Sequence, residues 1–206
     1  MSCFPENNHS GFTLIGLLIA MAVGIVVLGA VYSVFIIQNK AYKVQEQIAE
    51  MQQNARAAMD FMTRDIRMAG YDPSGSASAT IVSATANSIN FTLDITDDAG
   101  TGSSDEDTAD SNENITYSLY TSDGIQKLGR KSTAGAVNQP VAEHVEGLVF
   151  EYLDDSGSVT ATVANIRRIR VTITMRTADP DPVYPLNGGY RTYSLTSVIT
   201  PRNLGL

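Results

Sequence analysis

The sequence predicts an α+β fold in which one long N-terminal helix packs on a mainly antiparallel β-sheet domain. Apolar residues first run without interruption and then recur every three or four positions as far as Gly70, which is helical spacing. Beyond Pro73 they alternate with polar residues, which is typical of strands with one buried face. A helix followed by a run of strands belongs to the α+β class, because helix and sheet bury each other's apolar faces.

The first part of the helix, residues 12–37, is predicted to lie in a membrane. No charged residue occurs from Phe12 to Ile37, a stretch of 26 residues. As a helix this stretch measures about 39 Å, which exceeds the roughly 30 Å of a bilayer's hydrocarbon core. In an ordinary signal peptide a short apolar run precedes a cleavage site at small residues. Here the order is reversed, since Gly11 and a polar leader precede the apolar run.

The second part of the helix, residues 38–70, is predicted to be amphipathic. Its apolar stripe consists of Ile48, Met51, Ala55, Met59, Met62, Ile66 and Ala69. Gly70 followed by Pro73 is a helix stop signal. We expect the stripe to pack against the chain's own β-domain, so that residues 42–206 form one packed domain.

Residues 71–206 are predicted to form the β-rich domain, with six or seven strands. In the clearest strand Ile169, Val171, Ile173 and Met175 point to one face. The predicted segments are Thr80–Ala84, Ser88–Ile95, Ile115–Tyr120, Ile125–Arg130, Val145–Leu153, Ile166–Thr177 and Tyr190–Ile199.

The residues around the start of the helix resemble the processing signal of type IV prepilins. Gly11-Phe12-Thr13-Leu14-Ile15 follows a short polar leader and opens the apolar helix. The resemblance implies that residues 1–11 are a leader, that a membrane aspartyl prepilin peptidase cuts between Gly11 and Phe12, and that Phe12 is then N-methylated. Such a cut leaves the apolar helix on the product. A plain signal anchor with a chance Gly-Phe pair is the alternative.

Two features depart from the prepilin pattern. The family normally carries Glu at the fifth position after the cut, where this chain has Gly16. In the family that carboxylate pairs with the amino terminus of a neighbouring subunit. Its loss predicts that this subunit lies at or near the filament tip, where no subunit lies above it. A lineage-specific loss or an engineered change are the alternatives. The leader also lacks Lys and Arg, whereas Lys40 and Lys43 follow the span, against the positive-inside rule. The expected orientation therefore rests on the resemblance.

Six further segments carry a second resemblance: Gln38–Glu46, Met51–Arg56, Asp65–Tyr71, Ile115–Leu119, Gln139–Leu148 and Thr200–Asn203. They resemble the PilW family of minor pilins, which is related to the J-type pseudopilins of type II secretion. The resemblance implies a pilin that takes part in pilus assembly with other minor pilins and the major pilin. It would lie in the inner membrane of a Gram-negative bacterium with its bulk in the periplasm, and then in the pilus. A J-type pseudopilin is the alternative.

Enzyme chemistry and nucleic-acid binding are not predicted. Cys3 lies in the leader, and His144 is the one histidine after it. No glycine-rich phosphate loop, Cys/His zinc spacing or His-Glu-x-x-His motif occurs. The formal net charge of −8 opposes phosphate binding, and alternation along a strand explains Arg168 and Arg170 as a solvent face.

An acidic loop, residues 94–114, is the one candidate ligand site. It holds eight Asp or Glu residues from Asp94 to Glu113 and no Lys or Arg. A solvated, mobile loop is the favoured interpretation. Ca²⁺ takes six to eight oxygen ligands, so a membrane-anchored calcium-binding or adhesive protein is a further alternative. The candidate ligands are Asp97, Asp98, Asp105, Glu106, Asp107 and Asp110.

Overall fold

A computed structural model describes residues 13–97 and 104–204 of the chain. The chain divides into two units, Met1–Glu46 and Gln47–Leu206. One helix, α1 (Leu14–Met68), supplies the described secondary structure of the first unit and the opening element of the second. The predicted long helix is therefore present, and it ends two residues before Gly70.

The part of α1 in the second unit has one buried face. Its buried side chains are Met51, Ala55, Ala58, Met59, Met62 and Ile66. All of them except Ala58 belong to the predicted stripe, with Ile48 partly buried beside them and Ala69 fully buried just after the helix. At Gly70 the backbone turns with φ +75°, a conformation that glycine adopts without strain. A Cβ there would also lie 2.7 Å from the Leu204 side chain, so the helix end requires glycine for space as well.

Five strands form an antiparallel sheet in their order along the chain. They are β1 (Ile81–Ala84), β2 (Ser88–Thr92), β3 (Asn114–Ser122), β4 (Ile125–Lys131) and β5 (Gln139–Glu143). The buried apolar side chains of β2 and β3 face the core; they are Ile89, Phe91, Ile115 and Tyr117.

Three more strands form a second antiparallel sheet. They are β6 (Val145–Leu153), β7 (Arg168–Arg176) and β8 (Thr192–Ile199), with β7 in the centre. The predicted alternation of β7 is confirmed, because Ile169, Val171, Ile173 and Met175 are buried while the residues between them are partly exposed. Short 3-10 turns occupy Val163–Asn165 and Asn187–Gly189. The buried stripe of α1 and apolar side chains of both sheets form one hydrophobic core.

The sequence-based description of the β-domain needs two corrections. Strand β5 was not predicted, because Pro140 lies inside it and proline cannot donate a ladder hydrogen bond; β5 tolerates it as an edge strand. The domain also contains two sheets rather than one. His144 separates β5 from β6 with φ +56°, which is uncommon for a residue with a side chain, and the chain passes there from one sheet to the other.

A polar cluster joins α1 to the five-stranded sheet. Asp65 accepts a hydrogen bond of 2.6 Å from the Tyr117 hydroxyl and one of 2.8 Å from Nε of Arg130. Arg130 also donates to Oδ1 of Asn112 at 3.0 Å and lies over the Phe61 ring. Burial, and secondarily the Asp65 charge, raise the pKa of Tyr117 far above its usual range, so its hydroxyl remains a donor. The cluster fixes the register of the helix on the sheet.

Candidate functional site

The apolar segment of the first unit, Leu14–Ile37, is exposed on every side of the helix. It carries sixteen large apolar side chains, each more than half exposed. An 18-residue window of this helix reaches a mean hydropathy of 2.9 with none of its residues buried. The helix is therefore long and apolar enough to cross a membrane. A signal sequence near an N-terminus meets the same criteria of length and composition.

The first turn of α1 brings Thr13 and Gly16 together. The Gly16 N–H donates to Oγ1 of Thr13 at 3.3 Å, and the Leu17 N–H donates to the Thr13 carbonyl at 3.2 Å. The Thr13 side chain thus satisfies one of the free N–H groups of the helix start. A Cβ at position 16 would lie 3.2 Å from Oγ1 of Thr13, so a larger residue needs a small shift of that hydroxyl. The predicted cleavage and methylation residues, Gly11 and Phe12, lie outside the described residues.

The acidic loop connects β2 to β3, and two of its acids are fully buried. Because Thr92 pairs with Asn114 in the sheet, Asp94 and Glu113 lie at the base of this hairpin connection. Both have zero exposure. The expectation of a solvated loop is therefore wrong at its two ends. The sequence carried only a weak signal: Asp94 lies within the predicted strand Ser88–Ile95, and Glu113 lies two residues before the predicted strand Ile115–Tyr120.

The predicted calcium ligands do not gather into one group. Asp107 is exposed and accepts a local hydrogen bond from the Ala109 N–H at 2.8 Å. Asp97, Asp105 and Asp110 are half-buried, and Asp98 lies outside the described residues. Within residues 13–97 and 104–204, no three His, Cys, Asp or Glu side chains are grouped as a metal site.

The Asp94 carboxylate lies among other acids. Oδ1 accepts from the Asp105 N–H at 3.3 Å, whereas Oδ2 is buried with no hydrogen-bond partner among the described residues. Burial raises the pKa of Asp94, and the charges of Glu113 and Asp105 act in the same direction against N–H donors from Asp105 and Glu106.

His144 lies beside a cleft of about 360 Å³ in the second unit. The cleft is bounded by α1 residues from Gln47 to Asn54, by β5 and by the end of β7. His144 is half-buried and its Nδ1 has no hydrogen-bond partner in the described part of the chain. Thr177 provides the one side-chain hydroxyl among the residues that line the cleft, and no thiol lines it. This arrangement lacks the oriented base and adjacent nucleophile of covalent catalysis.

Residues 44–193, well over half of the chain, match the family described as prepilin peptidase-dependent protein B. The chain belongs to that family. Residues 7–32 also match the prokaryotic N-terminal methylation motif, which covers Gly11, Phe12 and most of the apolar segment. The chain is therefore a membrane-anchored, pilin-like protein of the prepilin peptidase-dependent class, a class of structural proteins that interact with the peptidase and with pilus components. The prediction of a prepilin is confirmed at this level, whereas the finer PilW assignment stays a prediction.

Comparisons with individual proteins add little. No curated protein matches the sequence. Among solved structures, a type IV-like pilin of Thermus thermophilus aligns with a TM-score of 0.44 and 14% identity, over 74% of this chain and 97% of that one. A likeness this distant supports no conclusion about function.

Proposed function

We propose that this chain is a minor type IV pilin of the PilW kind, which takes part in pilus assembly by priming it at or near the filament tip. Prepilin peptidase cuts between Gly11 and Phe12, and Phe12 is then methylated. The precursor lies in the inner membrane of a Gram-negative bacterium with its bulk in the periplasm. Its partners after processing are other minor pilins and the major pilin.

The exposed apolar segment carries this proposal. A helix that is hydrophobic all round requires an apolar environment outside its own chain. The segment begins two residues after Phe12 of the methylation motif, so a cut between Gly11 and Phe12 leaves it close to the new N-terminus. The same side chains can contact lipid before assembly and neighbouring helices afterwards.

The second unit supports a role in assembly rather than catalysis. Its two sheets and its helix stripe share one core, and the cleft beside His144 lacks a nucleophile paired with a base. Its surfaces are therefore left for contacts with other pilins.

Gly16 supports the position at the tip. A Glu at this point of an apolar filament needs a cationic partner, because an unpaired charge in an apolar environment is costly. Gly16 introduces no such requirement. A subunit that has no neighbour above it can therefore do without the acid.

Mass spectrometry of the mature N-terminus tests the processing step. We expect the chain isolated from cells to begin at Phe12 with one added methyl group. Gly11→Glu should retain residues 1–11, whereas Gly29→Ala, at a glycine with open space around it, should be processed normally. A mature chain that still begins at Met1 would refute the proposal.

A deletion strain tests priming. We expect fewer pili in the absence of the chain and normal numbers after complementation. Normal pili in normal number without the chain would exclude a priming role.

A pair of glutamate substitutions tests the position at the tip. Gly16→Glu should change incorporation little, because position 16 lies about one helical turn from the new N-terminus, where a terminal subunit leaves the acid close to water rather than enclosed by neighbours. Gly24→Glu places the same charge near the middle of the apolar segment, where membrane insertion costs about 2.5–3.5 kcal/mol for an acidic residue, and should reduce incorporation strongly. A large gain of incorporation for Gly16→Glu would show that Gly16 is a defect.

A further inference from the structure

The base of the β2–β3 connection brings acidic side chains into the protein interior. Leu93 donates its N–H to the Glu113 carbonyl at 2.9 Å, which continues the pairing of the two strands. Asp94 follows Leu93 directly, and both Asp94 and Glu113 are fully buried. The ion pairs of the described residues are Lys127–Glu143, Arg130–Asp65, Arg170–Glu151 and Arg191–Asp181, none of which involves Asp94 or Glu113.

Glu113 is satisfied by groups of the loop itself. Its Oε1 accepts from the N–H groups of Ile95 and Thr96, both at 2.8 Å, and from the Thr96 hydroxyl at 3.1 Å. Its Oε2 accepts from the Asp110 N–H at 3.3 Å. Glu113 therefore organises the loop around it and has little capacity left for a ligand.

Asp94 and Asp105 are not satisfied in this way. Oδ2 of Asp94 and Oδ1 of Asp105 are buried atoms without a hydrogen-bond partner among the described residues. The two side chains are neighbours, because the Asp105 N–H donates to the other oxygen of Asp94. A buried carboxylate oxygen with no donor and no cation is costly. A cation bound by both side chains would satisfy both oxygens.

We propose that Asp94 and Asp105 bind a hard divalent cation, Ca²⁺, at the base of the β2–β3 connection. Both free atoms are carboxylate oxygens, the ligand type that Ca²⁺ and Mg²⁺ prefer over softer nitrogen and sulfur donors. No third acidic side chain joins them among the described residues, so backbone carbonyls and water complete the coordination. Ca²⁺ tolerates such irregular shells, whereas Mg²⁺ demands an almost ideal octahedron.

The ligand set also indicates a modest affinity. Fewer carboxylates and a less rigid site weaken calcium binding, and extracellular modules bind with dissociation constants of about 10⁻⁴–10⁻³ M. Bound Ca²⁺ would link the side chains of Asp94 and Asp105 and so stabilise the base of the β2–β3 connection. The site does not depend on the proposed role in pili, since it belongs to the second unit alone.

Thermal unfolding of the full chain in detergent, with CaCl₂ against EGTA, tests this site. At about ten times the dissociation constant, Ca²⁺ should raise Tm by about 3–6 °C. MgCl₂ at the same concentration should raise Tm less. Calorimetric titration with CaCl₂ should show one site.

Variants locate the cation. Asp94→Asn and Asp105→Asn should abolish the Ca²⁺-dependent rise in Tm, whereas Asp107→Asn, an exposed acid of the same connection, should preserve it. In EGTA, Asp94→Asn should be at least as stable as the wild type, because a buried charge without a partner has been removed. Asp105→Asn decides the matter if Asp94→Asn does not fold, because Asp105 is only half-buried.

Two results would overturn the proposal. The first is a wild-type Tm that is identical in EGTA and in several times the expected dissociation constant of CaCl₂. The second is an undiminished calcium response in Asp105→Asn, which would place the ion elsewhere.

Discussion

The two parts of α1 differ in where their apolar side chains lie, although they belong to one helix. From Leu14 to Ile37 these side chains cover every face and none of them is buried. From Gln47 to Met68 they form one stripe, which is buried in the core of the second unit. The pattern of apolar residues therefore matters as much as their number. A stripe indicates a partner within the chain, whereas an all-round apolar surface indicates a partner outside it.

The largest expected effect comes from the same substitution in each part of the helix. Ile66→Ala should lower the free energy of unfolding of the second unit by about 3–5 kcal/mol, because Ile66 is fully buried and its truncation leaves a cavity. Ile25→Ala should change it by less than about 0.5 kcal/mol, because Ile25 is 68% exposed. Urea unfolding in detergent, followed by the tyrosine signals of the β-domain, measures both. Similar losses for the two variants would contradict the distinction between the parts.

A smaller effect is expected from the polar attachment of the buried part. Asp65→Ala should lower the free energy of unfolding by about 3 kcal/mol, the low end of the range for a broken buried ion pair. The low end applies because the pair is not fully buried: the side chain of Asp65 is 20% exposed and that of Arg130 is 10% exposed. The loss leaves the Arg130 guanidinium and the Tyr117 hydroxyl without their main acceptor. Denaturant unfolding of the full chain measures it.

Asp60→Ala is the matched control for this substitution. Asp60 lies on the same helix but is exposed, so its removal should cost no more than about 0.5 kcal/mol. If both variants lose the same stability, helix propensity rather than the contact with the sheet determines the result.

The smallest effect is a pH dependence that belongs to the second unit. Hydrogen bonds from Arg191, at 2.8 and 3.2 Å, and from the Val183 N–H lower the pKa of Asp181 below its usual value. A lowered carboxyl pKa stabilises the fold above the unfolded-state pKa, and this stabilisation is lost as the pH falls through the lower folded-state pKa.

Asp181→Asn should therefore be less stable than the wild type at pH 7, and the difference should shrink as the pH falls below about 4. Urea midpoints measured over this pH range provide the test. The described part of the first unit contains Glu46 as its one acid, so the dependence should come from the β-domain. A difference that stays constant down to low pH would rule out the proposed role of the Asp181 carboxylate.

Much of the fold could be predicted because local patterns determine it. The stripe of α1 and the alternation of β7 follow from apolar spacing alone, and the structure confirms both. Gly70 gave the helix end to within two residues, because its left-handed backbone is a local requirement. The prepilin signal, too, is a continuous stretch of sequence.

The features that escaped prediction depend on contacts between distant residues. Strand β5 contains Pro140, and it forms because it pairs with β4 at the edge of the sheet. The division into two sheets depends on the backbone of His144, which has a positive φ. No local sequence pattern predicts that conformation. Asp94 and Glu113 read as part of a hydrophilic loop, and only the pairing of β2 with β3 buries them. The proposed cation site therefore joins Asp94, at the base of the acidic loop, to one of the predicted ligands, Asp105.

The exposed apolar segment also restricts the route that the chain can take. Burial of a large apolar side chain contributes about 1.5–3 kcal/mol, so the sixteen such side chains between Leu14 and Ile37 together represent tens of kcal/mol. That exceeds the roughly 5–15 kcal/mol by which a typical domain is folded. A free subunit in water would aggregate before it found a partner. Any transfer between lipid and a protein assembly must therefore proceed by sideways exchange of one apolar neighbour for another, with no aqueous intermediate.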